Sequence, residues 1–268
     1  MKLIVNGFET FVTTGGRDFD PSLPSVVMLH GAGFDNSTWA LHSRWFAHHG
    51  TNVLAPDLPG HGRSAGRPLV SIGELADWTA ALITAAGAGR AWLIGHSMGS
   101  LIALETAARH PGKVTALSLL GTSSAMAVGP DLLKNAEAND QAAIDMVSIW
   151  GLGFRAELGG SQMPGLWMHG GAQRVLQATA RDVLFTDLSA CNNYQDALAA
   201  AAKVTVPVTL IIGERDMMTP AKAGKALASA LADARTVVLP GTGHMMMVER
   251  PDEVLAALRG QLAAISAR

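Results

Sequence analysis

Ser97 stands at the centre of Gly95-His96-Ser97-Met98-Gly99, with the strand-like run Ala91-Trp92-Leu93-Ile94 before it and the helix-like run Ser100 to Glu105 behind it. Strand, Gly-x-Ser-x-Gly, helix is the context in which this pattern forms a nucleophile elbow. The two glycines lack Cβ atoms, so a sharp turn can press against neighbouring elements and hold the serine in strained dihedrals with its hydroxyl exposed. Gly62-Arg63-Ser64-Ala65-Gly66 fits the same expression, but it follows Leu58-Pro59-Gly60-His61 and runs into Arg67-Pro68. Without a strand before it or a helix after it, Ser64 drops out. In a chain with 29 glycines the pattern carries weight only in context.

A serine hydroxyl is barely ionised at neutral pH and needs a base, normally an imidazole that a carboxylate orients through the other ring nitrogen. Among nine histidines, His244 ends the glycine-rich loop Leu239-Pro240-Gly241-Thr242-Gly243-His244, directly after the last strand-like run. That location puts it at the same sheet edge as Ser97. The acid is expected where Ile211-Ile212-Gly213-Glu214-Arg215-Asp216 leaves the preceding strand, and both Glu214 and Asp216 qualify there. An oxyanion hole requires backbone N–H donors, expected from Met98 after the nucleophile and from Ala32 in His30-Gly31-Ala32-Gly33. The histidines show no His-Glu-x-x-His spacing, so neither a metal nor a cofactor is expected.

The elements that must position these residues read as alternating strands and helices, the pattern of βα units around a mostly parallel sheet. An Asn6-Gly7 hairpin joins two short N-terminal strands. Further strands are expected at Val26–Leu29, Val53–Ala55, 91–94, 116–120, 208–212 and 236–239, with helices near 37–49, 71–87, 98–109, 220–232 and 252–266. Thr219 reads as the N-cap of the 220–232 helix, with Pro220 at its first position. The gap from Leu120 to Val208 is too long for a structureless loop. Its glycine joints at 151–153, 159–160 and 170–171 separate helical stretches, so residues 123–205 form a helical cap over the carboxyl edge of the sheet. Residues 1–122 and 206–268 form the two parts of the core domain.

With 268 residues, 49% apolar and 16% charged, the chain suits one compact α/β domain. A net charge of −2 gives no electrostatic case for nucleic acid or an anionic membrane. Asn6-Gly7 interrupts the apolar N-terminus before a signal core develops, and no run approaches a membrane span, so the cytoplasm is expected. Cys191 stands alone, with no intramolecular disulfide partner, and beside Asn192-Asn193 it reads as a half-buried thiol rather than a nucleophile.

Taken together, His30-Gly31-Ala32-Gly33, Asp57 to Ser64, Gly95 to Gly99, Gly213 to Asp216 with Pro220, and Gly243-His244 resemble the α/β-hydrolase fold family, its serine esterase branch with a helical lid. The resemblance spans nearly the whole chain outside 123–205. It implies an eight-stranded, mostly parallel sheet with the cap inserted after the sixth strand, and the order Ser97, Asp216, His244 as nucleophile, acid and base. It therefore favours Asp216 over Glu214. Many relatives carry a second glycine where this chain has Ser100. The Asp57-to-Ser64 segment is assigned a structural loop beneath the site and no catalytic role.

A serine at the elbow, rather than the aspartate of dehalogenase- and epoxide-hydrolase-like relatives, implies acyl transfer. The expected substrate is a small to medium apolar carboxylic ester, held by Trp150, Phe154, Trp167, Met218 and Met245. The lid arginines Arg155, Arg174 and Arg181 read as solvated surface residues. The same triad also serves carbon–carbon bond hydrolases and cofactor-free perhydrolases, and a non-catalytic ligand-binding protein can occupy this fold.

Overall fold

The computed structural model describes residues 1–266. Eight strands form one sheet: β1 (Lys2–Val5), β2 (Phe8–Thr13), β3 (Ser25–Leu29), β4 (Asn52–Pro56), β5 (Ala91–His96), β6 (Val114–Leu120), β7 (Val208–Gly213) and β8 (Ala234–Leu239). Their order is β1-β2-β4-β3-β5-β6-β7-β8, antiparallel for the first two pairings and parallel for the rest. β3, β4, β5 and β7 are buried along their whole length, which is why they read as continuous apolar runs and not as alternating ones.

Six helices belong to the core: α1 (Ala40–Ala47), α2 (Ile72–Ala85) and α3 (Met98–Arg109), then α10 (Ala221–Ala228), α11 (Met246–Glu249) and α12 (Pro251–Ser266). Between β6 and β7 lie α4 (Pro130–Glu137), α5 (Gln141–Trp150), α6 (Phe154–Glu157), α7 (Met168–Ala178), α8 (Val183–Asn193) and α9 (Ala197–Ala201). They form a helical insertion between two neighbouring strands of the sheet, termed the cap.

Two local expectations need correction. The helix expected over 37–49 is split, because Asp35 accepts a hydrogen bond from the Ser37 N–H and starts a 3-10 turn, Asn36–Trp39, ahead of α1. Pro220 is the residue before α10 and not its first turn, and the Thr219 hydroxyl is engaged elsewhere.

Strand order places the site. Connections from β3 run outward to β4 on one side, while β5 pairs with β3 on the other, which makes a topological switch point between β3 and β5. In open α/β sheets ligands bind in the crevice beyond the carboxyl ends of the strands at such a point. Leu29 is in register with Gly95, and Gly95 with Leu119. The loops holding Ala32 and Ser97 therefore emerge side by side.

Candidate active site

β5 continues through Gly95 and His96, and α3 begins at Met98, leaving Ser97 alone to make the turn. Its backbone sits at φ 53°, ψ −120°, a region that costs a non-glycine residue about 1–3 kcal/mol. The strain is held from both sides. The Ser97 N–H donates to Leu120 O at 2.9 Å, and its carbonyl accepts from the Ser100 N–H at 2.8 Å and the Ser100 hydroxyl at 2.6 Å. Ser100 thus braces the elbow. A Cβ at Gly95 would run into the Gly99 carbonyl, and one at Gly99 into the carbonyls of Leu29 and His30. Both glycines are demanded by close approach.

His244 follows β8 in a loop packed tightly against the sheet edge, and Asp216 lies just past β7. Their side chains meet at 2.8 Å between His244 Nδ1 and Asp216 Oδ2, both deeply buried. Burial opposes charge on Asp216, but His244, the Thr219 hydroxyl and the Thr219 N–H together hold its carboxyl below the ordinary value. The Thr219 hydroxyl donates to Asp216 Oδ2 at 2.7 Å, while the N–H groups of Met218 and Thr219 donate to Oδ1 at 2.9 and 2.7 Å. Glu214, the rival acid, instead accepts the Gly241 N–H at 2.9 Å and braces the loop. Among the described residues, His244 Nε2 is buried without a hydrogen-bond partner. With Nδ1 committed to a carboxylate, Nε2 is left as the ring's free acceptor.

Neighbouring buried groups fix the His244 backbone. His96 Nε2 donates to His244 O at 2.9 Å, and burial first, then the His244 ring, pushes the His96 pKa down to about 3, so it stays neutral. Glu249 accepts the N–H groups of Gly243 at 3.0 Å and of Gly153, at the α5–α6 joint, at 3.1 Å; burial raises its carboxyl. The Met245 N–H donates to Gly151 O at 2.7 Å. Sequence reasoning gave Thr219 only a helix-capping role and did not single out Glu249, although an Asp followed at +3 by Thr is a recognisable turn signal.

On the third side, Ala32 faces the same cavity as Ser97, and among the described residues its N–H enters no backbone hydrogen bond. His30 is fully buried and neutral, its pKa lowered to about 4 by burial and by His61. It donates from Nδ1 to Gly31 O and accepts the Leu58 N–H at Nε2, tying this loop to the segment after β4. In that segment Asp57 accepts the N–H groups of Asn36 and Arg63, and Ser64 bridges Phe11 N and Asp57 O. Ser64 is structural.

A family model described as "Alpha/beta hydrolase family" matches residues 26–257. The chain belongs to the alpha/beta hydrolase family. Among curated proteins it is 31% identical to a pimeloyl-[acyl-carrier protein] methyl ester esterase of Chromobacterium violaceum, over 94% of this chain and 97% of that one. It is 24% identical to an (E)-2-((N-methylformamido)methylene)succinate hydrolase of Acinetobacter baylyi, covering 88% of this chain and 89% of that protein. The enol-lactonase of Burkholderia xenovorans LB400 superposes with a TM-score of 0.88 at 23% identity, covering 98% of this chain and all of that one, a likeness of fold.

The sheet edge of this alpha/beta hydrolase is roofed. Cap side chains Leu132, Val147, Trp150, Leu184 and Leu188 close a cavity of about 170 Å³ over Ser97 and His244. Met218 and Met245 line it, and so does Cys191, whose thiol burial pushes well above its ordinary value. Met98 is fully buried in the core and is not part of the cavity lining. Phe154 and Trp167 lie outside the cavity lining, at 76% and 68% exposure. On the single turn of α6 it is Ala156 that turns inward, and Trp167 precedes α7 with its ring against Gly170 while Met168 takes the buried position. Arg155, Arg174 and Arg181 are exposed. Leu132, Val147, Leu184 and Leu188 are among the lining residues that the sequence left unnamed, legible only as apolar faces of cap helices. No helix among the described residues is long and apolar enough to cross a membrane.

Proposed function

We propose that this protein hydrolyses a small to medium, apolar carboxylic ester through an acyl-enzyme on Ser97. The observation that carries it is His244: its Nδ1 is bonded to Asp216, its Nε2 is buried and unpartnered, and it shares one cavity with a strained, half-buried serine. In this scheme His244 Nε2 accepts the Ser97 proton as Oγ attacks the ester carbonyl, and the N–H groups of Ala32 and Met98 receive the oxyanion. Collapse expels the alcohol, which takes its proton from His244. Water, deprotonated by the same nitrogen, then attacks the acyl-enzyme and releases the acid, leaving Ser97 as it began.

The lining supports an uncharged substrate, since no Lys, Arg, Asp or Glu of the described residues faces the cavity. A dicarboxylate of the kind in the Acinetobacter relative's name would find no cation there. The cavity is also smaller than the roughly 300–1,000 Å³ of drug-sized ligand sites, which favours a short acyl or alcohol group next to Ser97. From the esterase relatives this assignment takes the small-alcohol ester and not the carrier. The lone buried Cys191 suits a reducing compartment such as the cytoplasm.

The test is turnover of p-nitrophenyl and methyl esters of graded acyl length by wild type and Ser97→Ala, with fluorophosphonate labelling located by mass spectrometry. Hydrolysis that disappears in the variant, with the label on Ser97, is expected. Wild-type rates in Ser97→Ala would overturn the assignment.

A further inference from the structure

Outside the triad the described residues hold a second buried acid–imidazole pair. His61 lies in the loop after β4 and Asp187 on cap helix α8, 126 residues apart, yet His61 Nε2 meets Asp187 Oδ2 at 2.7 Å with both side chains 1% exposed. The other ring nitrogen, Nδ1, faces Pro59 O at 3.0 Å. Two acceptors, a carboxylate and a carbonyl, leave neither nitrogen anything to do but donate, so the ring carries both protons. Burial works against that charge, but Asp187, Pro59 and Asp57 outweigh it and raise the His61 pKa.

The same carboxylate oxygen has another donor. The Gly33 N–H reaches Asp187 Oδ2 at 2.8 Å, and the Gly33 carbonyl accepts the hydroxyl of Thr179, at the end of α7, at 2.7 Å. Gly33 has φ +71°, and a Cβ there would press within 2.9 Å of Leu184 and Leu176, both on cap helices. Both polar groups of Gly33 are therefore held by cap side chains, and Gly33 directly follows Ala32. Asp187 holds the 32–33 peptide and Thr179 the 33–34 peptide, which together restrict ψ of Ala32 and limit how its own N–H can swing.

We infer that Asp187 and Thr179 of the cap, with His61 beneath them, are positioning residues that aim the Ala32 N–H at the developing oxyanion, an inference that rests on Ser97 acting as the nucleophile. The cap is then part of the reaction's scaffold as well as its roof. A charge pair at the junction has a reason to be ionic: a carboxylate that must hold an imidazolium and a peptide N–H through one oxygen is a stronger acceptor than a neutral group.

The experiment compares wild type with Asp187→Asn, Thr179→Val and Thr179→Ser, reading kcat and KM on p-nitrophenyl butyrate and affinity for a trifluoromethyl ketone, whose serine adduct carries an oxyanion. Removing a whole oxyanion donor typically costs about 10²–10³ in kcat, so misaiming one is expected to cost roughly tenfold to a hundredfold. Thr179→Val should lower kcat and ketone affinity together by about tenfold, with KM within about threefold, and Thr179→Ser should restore both. Asp187→Asn should show the larger loss. Thermal melting checks that each variant is folded, and if Asp187→Asn is not, the Thr179 pair decides. Folded variants with wild-type kcat and ketone affinity overturn this inference alone, provided wild-type Ser97 takes the fluorophosphonate. An unlabelled, inactive wild type overturns the esterase assignment and this inference with it.

Discussion

Thr219 Oγ1 donates to Asp216 Oδ2, the same oxygen that faces His244 Nδ1, at 2.7 and 2.8 Å respectively. The hydroxyl also lies 3.3 Å from Nδ1. Thr219 thus joins His244 in holding the charge on Asp216 and fixes the direction of the acid that orients the base.

Thr219→Val keeps the shape and removes that donor. A hydrogen bond to a charged group is worth about 1.5–3 kcal/mol, so kcat should fall roughly tenfold to a hundredfold with little change in KM. Steady-state kinetics on a short p-nitrophenyl ester checks it, and an unchanged kcat would show the hydroxyl to be dispensable.

Asp216→Asn should lower kcat by about 10⁴, as expected when the imidazole loses the group that fixes its tautomer. It should also change how stability depends on pH. Asp216 has its folded pKa depressed from 3.8, so its contribution is fully present above that value and is lost as pH falls through the lower, folded one. The stability gap between wild type and variant, measured by urea unfolding, should hold steady from pH 7 to pH 5 and narrow only below about pH 4.

Met245 and Phe34 line the site cavity and also a second, largely apolar cavity of about 230 Å³ walled by Leu152, Met168, Ala172 and Val175. Met245→Ala should merge the two and move the best acyl chain to a longer length, read as kcat/KM across a series of p-nitrophenyl esters. Truncating a buried methionine also costs about 2–5 kcal/mol of stability. Phe154→Ala and Trp167→Ala, which alter exposed rings, should leave that profile within about twofold.

Gly99→Ala puts a methyl group against the carbonyls of Leu29 and His30, backbone that cannot move without shifting β3. Overpacking of this kind costs about 1–3 kcal/mol, seen as a lower urea midpoint. The same shift should disturb the Ala32 loop, so activity should fall further than stability alone explains.

The strands and α3 were readable because apolar runs bounded by Gly and Pro leave little choice, and the triad was readable because each member sits at a strand's carboxyl end. Choosing Asp216 over Glu214 needed family resemblance, since only three-dimensional contact sends one carboxylate to His244 and the other to Gly241. Phe154 and Trp167 misled for a related reason. Aromatic character says that a side chain can line a pocket, but which way a one-turn helix points depends on packing that Ala156 and Met168 decide. His61 and Asp187 were invisible as a pair because their loops meet only once the cap has folded onto the core.

The α5–α6 joint is pinned to the His244 loop through Gly151, Gly153 and Glu249, and the opposite side of the cap is pinned to Gly33. Lifting the whole cap would break these bonds together, at about 1 kcal/mol or more for each. Trp150 and Met217 line the cavity yet remain partly open to solvent, at 36% and 68% exposure, and rotating their side chains breaks none of those bonds. The rim at Trp150 and Met217 is therefore the part of the cavity wall that can open while the cap stays seated on the core.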